Sequence, residues 1–276
     1  MSWSGKRIFV IPDTQVRPGV PTDHFDWIGA LIREYEPEYV VHIGDHWDMA
    51  SLSSYAGEMQ REGQRYVADI DAGNAALDRL HAAMGGFKPK RKIILRGNHE
   101  QRIQRIVSEN PKLAGALSYD HFNDKALGWE VVDYNGDHPG MIDIEGVKFA
   151  HYFAAMNAKG GIGGSAQNKL LKIGESYVMG HVQGLDTGHK QFSTGRVIRG
   201  VVAGSCYLHD ESYKGHANTH WRGVVVLNGV RNGNFGLMDI PLTDICPKFE
   251  GMSLARFLQR KRRNAKERFS LARVAA

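Results

Sequence analysis

A chain of 276 residues, 42% hydrophobic and 24% charged, is long enough to bury a substantial core without disulfide staples. Its two cysteines, Cys206 and Cys246, stand in no metal-ligand spacing, which points away from a zinc-cysteine site and toward a reducing compartment. No run approaches the ~20 apolar residues of a membrane span, and residues 1–6 carry no secretory apolar stretch, so the expectation is a cytoplasmic protein with no membrane partner. The net charge of +5 is concentrated at one end: residues 256–273 hold eight Lys or Arg against one acid, Glu267, and the rest of the chain is slightly acidic.

In chain order, the first half alternates strand and helix. Residues 7–12 read as a strand, and 22–35 as a helix with Thr22 as N-cap. Residues 39–43 are a strand, and 66–84 carry apolar residues at helical spacing (Val67, Ile70, Leu77, Leu80, Met84). Residues 92–95 are a third strand, and 100–107 open another helix. This rhythm predicts parallel strands with helical crossovers. The second half reads mainly as antiparallel hairpins. Strands are expected at 130–134, 141–144, 147–151, 177–179, 196–202, 223–227 and 235–240, with a short helix at 165–172 after glycine-rich residues 160–164. The fold class expected is α/β, two packed mixed sheets flanked by helices. Residues 1–243 form the expected catalytic domain and 244–276 a basic tail, in which 253–258 begin an amphipathic helix.

Four short segments then stand out: Asp13-Thr14-Gln15, Gly44-Asp45-His46-Trp47-Asp48, Gly97-Asn98-His99-Glu100 and Gly180-His181-Val182-Gln183. Each follows an apolar run, and open α/β sheets gather ligands at the carboxyl ends of their strands. Two divalent ions ~3.5–4 Å apart can clamp a phosphate and generate hydroxide. Such a pair needs a bridging carboxylate, for which Asp45 is the candidate, with Asp13 terminal on the first ion and Asn98 and His181 on the second. His99 suits a general acid to a leaving oxygen, oriented by Asp48. Arg96 and Arg102 flank the third segment and suit either a grip on phosphate oxygens or a surface ion pair. Trp47 reads as core rather than base stacking. His24, His189, His209, His216 and His220 have no paired spacing and default to structural or exposed roles. Residues 160–164 lack a P-loop ending and read as a loop over the crevice.

On these segments the chain resembles the calcineurin-like metallophosphoesterases, whose motifs run DxH, GDxxD, GNH(D/E), a later His and GHxH, in matching order over residues 7–183. Residues 52–55 and Arg102 look like the phage and prophage members. The resemblance implies a two-sheet sandwich and two divalent cations. It also implies a metal-ligating histidine between the last two motifs. His121, His138 and His151 are candidates, and His151 is chosen because it ends an apolar strand. Two family histidines are replaced here, by Gln15 and Gln183, and both belong to the first metal. That site then offers only oxygen, from Asp13, Asp45, Gln15 and Gln183, which suits Mn2+ or Mg2+. The second, with Asp45, Asn98, His151 and His181, suits Zn2+, Fe or Ni2+. Alternatively the glutamines only hydrogen-bond nearby. Mn2+ is the leading expectation.

The implied activity is hydrolysis of phosphate esters by metal-activated hydroxide. Met49-Ala50 follows the second motif where Ser/Thr protein phosphatases carry Arg-Gly, which argues against that branch. The basic tail favours nucleic acid or nucleotides as substrate, that is, a phosphodiesterase or nuclease. Competing readings are a small-molecule or protein phosphomonoesterase, and a non-catalytic module that binds phosphate groups through a degenerate first site.

Overall fold

The computed structural model describes residues 5–54, 62–156, 160–211 and 218–274, with backbone alone from 265 onward. Two sheets form the centre. The first has the order β11-β10-β1-β2-β3-β4, with β1 (Lys6–Ile11), β2 (Tyr39–His42), β3 (Arg91–Leu95), β4 (Glu130–Val132), β10 (Gly223–Arg231) and β11 (Asn234–Pro241). Strands β1 to β4 run parallel, and β10 and β11 are antiparallel additions. The second sheet has the order β5-β6-β7-β9-β8, with β5 (Met141–Ile144), β6 (Val147–Ala150), β7 (Ser176–Met179), β8 (Leu185–Gln191) and β9 (Val197–Ala203).

Strand alternation makes the layers. On β1, Ile8 and Val10 point into the core between the sheets, where Phe149, Val178, Val201 and Leu227 meet them. Phe9 and Ile11 point the other way, onto helices α1 (His24–Tyr35) and α2 (Tyr66–Ala83). Helix α4 (Ala166–Ile173) covers the outer face of the second sheet through Ala166 and Leu170, and α3 (Arg102–Glu109) follows the third motif. The result is the expected two-sheet α/β sandwich.

Three expectations change. The second sheet is not mainly hairpins: β6, β7 and β9 run parallel, because α4 supplies a crossover from β6 to β7. Strand β8, Leu-Asp-Thr-Gly-His-Lys-Gln, escapes a sequence reading because an exposed edge strand has no apolar alternation to give. The body also does not end at 243. Helix α5 (Leu242–Glu250) buries Leu242, Ile245 and Cys246 in the helical core. Helix α6 (Leu254–Val274) then inserts Phe257, 1% exposed, edge-on to Trp27 at 5.2 Å. Arg260 and Lys261 lie over Phe257 and pair with Glu250 (2.9 Å) and Asp23 (2.6 Å). The start of the basic segment is therefore packed and ion-paired. Among the described residues no helix is long and apolar enough to cross a membrane.

Candidate metal centre

All four motifs lie just beyond strand ends on the same side of the sandwich. Asp13 follows β1, Asp45 follows β2, Asn98 follows β3, His151 follows β6, and His181 and Gln183 follow β7. The motif glycines make the convergence possible. A Cβ on Gly97 would occupy the place of the Asp45 carboxylate, and one on Gly180 that of the Asp13 carboxylate. Gln15, Asp45 and His181 hold positive φ values of 41°, 51° and 65°. Left-handed backbone at three non-glycine positions in one crevice is strain of the kind that gathers at functional sites.

Asn98 Oδ1 lies 2.9 Å from His151 Nε2 and 2.8 Å from His181 Nδ1. Asp45 Oδ2 is 3.3 Å from His151 Nε2. Ligand atoms held ~2.1 Å from one ion lie ~3 Å apart, so the spacing is that of a coordination shell. Candidate ligand atoms of Asp13, Asp45 and His151, all buried, fall within 4.8 Å of one another. Asp13 meanwhile accepts from the His181 N–H at 3.0 Å, tying the first motif to the fourth.

The donor chemistry fits a cation. His151 Nδ1 lies 3.0 Å from the Ile43 carbonyl, to which it donates, so Nε2 is the nitrogen aimed at the Asn98 and Asp45 oxygens. With that nitrogen deprotonated, imidazole, amide and carboxylate donors would face one point, the donor set of a divalent cation. Gln15 Oε1 is a second sign: it is buried with no hydrogen-bond partner among the described residues, an acceptor aligned to nothing else. Gln183 Oε1 accepts from the Tyr207 hydroxyl at 3.0 Å.

Electrostatics follow the same division. Burial opposes ionisation of Asp45, yet His151 and His99 beside it hold it well below the ordinary carboxylate range. Burial pushes Asp13 up to about 7, with the charge of Asp45 adding to it against the pull of His151. His151 is raised to about 9: burial works against its charge, but Asp45 and Asp13 outweigh it. His181 is exposed at the edge of the crevice, yet partial desolvation beside Tyr152 (ring centroids 5.0 Å) and the neighbouring His151 push it down to about 4.

Beside this cluster, His99 Nδ1 donates to Asp48 Oδ1 at 2.7 Å, and Nε2 faces Asp45 Oδ2 at 3.6 Å. His99 is raised, burial being outweighed by Asp45 and by the bond to Asp48.

The support of the motif loops was not assigned from sequence. Glu100 accepts from the N–H groups of Asp45 (3.1 Å), His46 (2.6 Å), Trp47 (3.1 Å) and Gly97 (2.8 Å), so one buried carboxylate holds two motifs together. Behind them runs a directional chain. The Gly44 N–H donates to His42 Nδ1, His42 Nε2–H to Thr14 Oγ1, Thr14 O–H to His46 Nδ1, and His46 Nε2–H to the Gly73 carbonyl. Burial lowers both histidines, His46 to about 4, so the rings are neutral and each nitrogen has one role. Arg17 reaches Asp48 Oδ2 (3.1 Å) and Glu211 Oε2 (3.0 Å). Arg17 stands two residues past Gln15, but no sequence signal points to Glu211.

The two arginines expected at the phosphate are turned elsewhere. The Arg96 guanidinium is fully buried, paired with Asp124 at 2.6 Å and surrounded by the rings of Trp47, Tyr119 and Phe122. Arg102 is buried too, its Nη1 donating to the backbone carbonyls of Asp48 (2.6 Å) and Met49 (3.2 Å). Neither is a surface ion pair: Arg96 follows β3 and turns into the ring cluster, and Arg102, in the first turn of α3, turns against the loop after β2. Trp47 is core, 0% exposed and stacked on Phe122 at 3.9 Å. Residues 160–162 pair with residues 153–155, just beyond His151, through backbone hydrogen bonds. His121 bonds Tyr66, and His138 lies in a turn with Asn135, both away from the cluster. Tyr55 and His216 fall outside the described residues, as do the side chains of Lys266, Arg268 and Arg273.

The family model for calcineurin-like phosphoesterase matches residues 6–190. The chain belongs to the calcineurin-like phosphoesterase family, a metal-dependent class acting on phosphate esters, and residues 6–190 contain every site residue named above but Tyr207 and Glu211. No curated protein matches it significantly.

Proposed function

We propose that the protein is a metal-dependent phosphodiesterase whose substrate is nucleic acid or a nucleotide. One observation carries the hydrolytic reading: Asn98, His151, His181 and Asp45 interlock within 3.3 Å, and the His99–Asp48 pair lies directly against them. In this reading Asp45, Asn98, His151 and His181 would hold one divalent cation. Asp13, Gln15 and Gln183, with Asp45, would hold a second. Bound there, such ions would supply Lewis-acid polarisation of a phosphoryl oxygen and lower the pKa of water. Asp48 fixes the Nδ1–H tautomer of His99, which leaves Nε2 to give its proton to the leaving oxygen. Asp45 and Asp48 favour the protonated ring against its burial.

The nucleic-acid half of the proposal is supported by the density of cations on α6 and by where that helix lies. Phe257 anchors it beside α1, and Arg262 lies 3.8 Å from Asp210, next to Glu211 and the Arg17–Asp48–His99 chain. A polyanion following the helix would reach the crevice.

The test is turnover of aryl phosphate mono- and diesters by protein purified with Mn2+. Diester hydrolysis that falls about 10²–10⁴-fold in His99→Ala supports the proposal. Monoester preference would replace the diesterase reading. Absence of turnover with both would leave a phosphate-binding module. Removal of residues 264–276, which spares Phe257, is expected to weaken DNA binding and flatten its salt dependence; unchanged affinity would remove nucleic acid from the proposal.

A further inference from the structure

We infer that Arg17, held between Asp48 and Glu211, is a positioning residue for the His99–Asp48 pair. The inference rests on reading His99 as the acid for the leaving group.

Asp48 has two carboxylate oxygens with separate tasks. Oδ1 accepts from His99 Nδ1 at 2.7 Å, and Oδ2 accepts from Arg17 Nη1 at 3.1 Å. The terminal torsion of an aspartate is broad, so one hydrogen bond leaves the carboxylate free to swing. A second anchor on the far oxygen fixes its plane and with it the imidazole. Arg102 does not do this: its short bond is to the Asp48 backbone carbonyl, and its distance to the carboxylate is 3.9 Å. The Asp48 N–H is likewise spent on the Val16 carbonyl at 2.9 Å. Among the described residues Arg17 is the group that grips Oδ2.

Arg17 is a long side chain and needs fixing in turn. The same Nη1 donates to Glu211 Oε2 at 3.0 Å, and Glu211 Oε1 accepts from His209 Nε2 at 2.7 Å. Two bonds with Asn218, both 2.8 Å, hold the Glu211 backbone. Exposed ion pairs contribute little, but Glu211 is 2% exposed and Asp48 5%, so these are sheltered. The row His209, Glu211, Arg17, Asp48, His99 thus runs from the segment after β9 to the edge of the metal cluster. It links the segment around Glu211 to the acid pair through the Arg17 guanidinium.

The experiment measures kcat and KM on two phosphate esters alike except for the leaving group, a 4-nitrophenyl and a phenyl ester. The first leaves without a proton and the second needs one. His99→Ala is expected to slow the phenyl ester far more than the nitrophenyl ester. Arg17→Gln should reproduce that selectivity in smaller measure, with kcat on the phenyl ester down ~10-fold, the nitrophenyl ester down about twofold, and KM and bound metal unchanged. Arg17→Lys should recover part of the loss, and Glu211→Gln should show the same pattern more weakly. If Arg17→Gln does not fold, the Lys and Glu211 variants carry the comparison. Equal loss on both esters, or none, with His99→Ala still selective, overturns the role of Arg17 alone. A His99→Ala variant without selectivity overturns the reading of His99, and the inference with it.

Discussion

The two halves of the crevice are built differently. On the side of Asn98, His151 and His181 the donor atoms touch one another at 2.8–2.9 Å, and two imidazole nitrogens face one amide oxygen. On the side of Asp13 the donors are carboxylate and amide oxygens, one bonded to Tyr207 and one, Gln15 Oε1, to nothing described. The first half is held by imidazoles whose second nitrogen or ring face is already engaged, as His151 is by the Ile43 carbonyl. The second half depends on glutamines, longer and less fixed. One crevice thus sets a mixed nitrogen–oxygen cluster beside an all-oxygen one, and in the two-cation reading proposed above the two should differ in the strength and kind of cation they take.

Removing what they share breaks the comparison outright. Asp45→Ala deletes the carboxylate that faces both halves and accepts from the His99 N–H at 2.9 Å. Calorimetry should then show loss of both binding events, and hydrolysis should fall to background. Retention of either event would mean that Asp45 does not bridge.

Next in size is an exchange at the weak half. Gln15→His with Gln183→His should convert an all-oxygen site into one with two imidazoles. Zn2+ affinity of that site should rise while Mn2+ affinity changes little. Competition between the two metals, read by calorimetry and metal content, checks this without reference to turnover. Unchanged selectivity would mean that the glutamines do not reach the ion.

What sequence alone could give follows the same division. Asp13, Asp45, Asn98, His151 and His181 are legible because each sits where an apolar run ends, and a parallel sheet brings such ends together. His99 and Asp48 are legible through their spacing from these. Arg96 and Arg102 misled, because adjacency to a motif says nothing of which way a side chain turns; one is buried among rings and the other on carbonyls. Glu100 stood in plain view in the third motif, but its four N–H partners lie in a folded loop that spacing does not describe. The parallel arrangement of β7 and β9 was hidden because adjacent strands separated by a turn look like hairpins until the edge strand between them, β8, is known.

The smallest effect is expected behind the weak half. Tyr207 is fully buried, and its hydroxyl lies 3.0 Å from Gln183 Oε1 and 2.9 Å from His220 Nε2, which also lies 3.0 Å from Ser205 Oγ. The hydroxyl orients the amide by one oxygen and leaves its other lone pair for a cation. Tyr207→Phe keeps the ring, its stacking on His209 at 4.6 Å and nearly all the volume, and removes the hydroxyl's bonds to Gln183 and His220. Outer partners of metal ligands typically set affinity by 10–100-fold. Since Gln183 is one of several oxygens, ~10-fold weaker binding of the hard cation is expected, with the nitrogen–oxygen site unaffected. If both sites weaken together, Tyr207 holds the whole crevice rather than one glutamine, and the two halves are coupled more tightly than their donor sets suggest. If neither changes, Gln183 belongs to the Tyr207–His220–Ser205 network alone, and Asp13, Asp45 and Gln15 must make the first site without it.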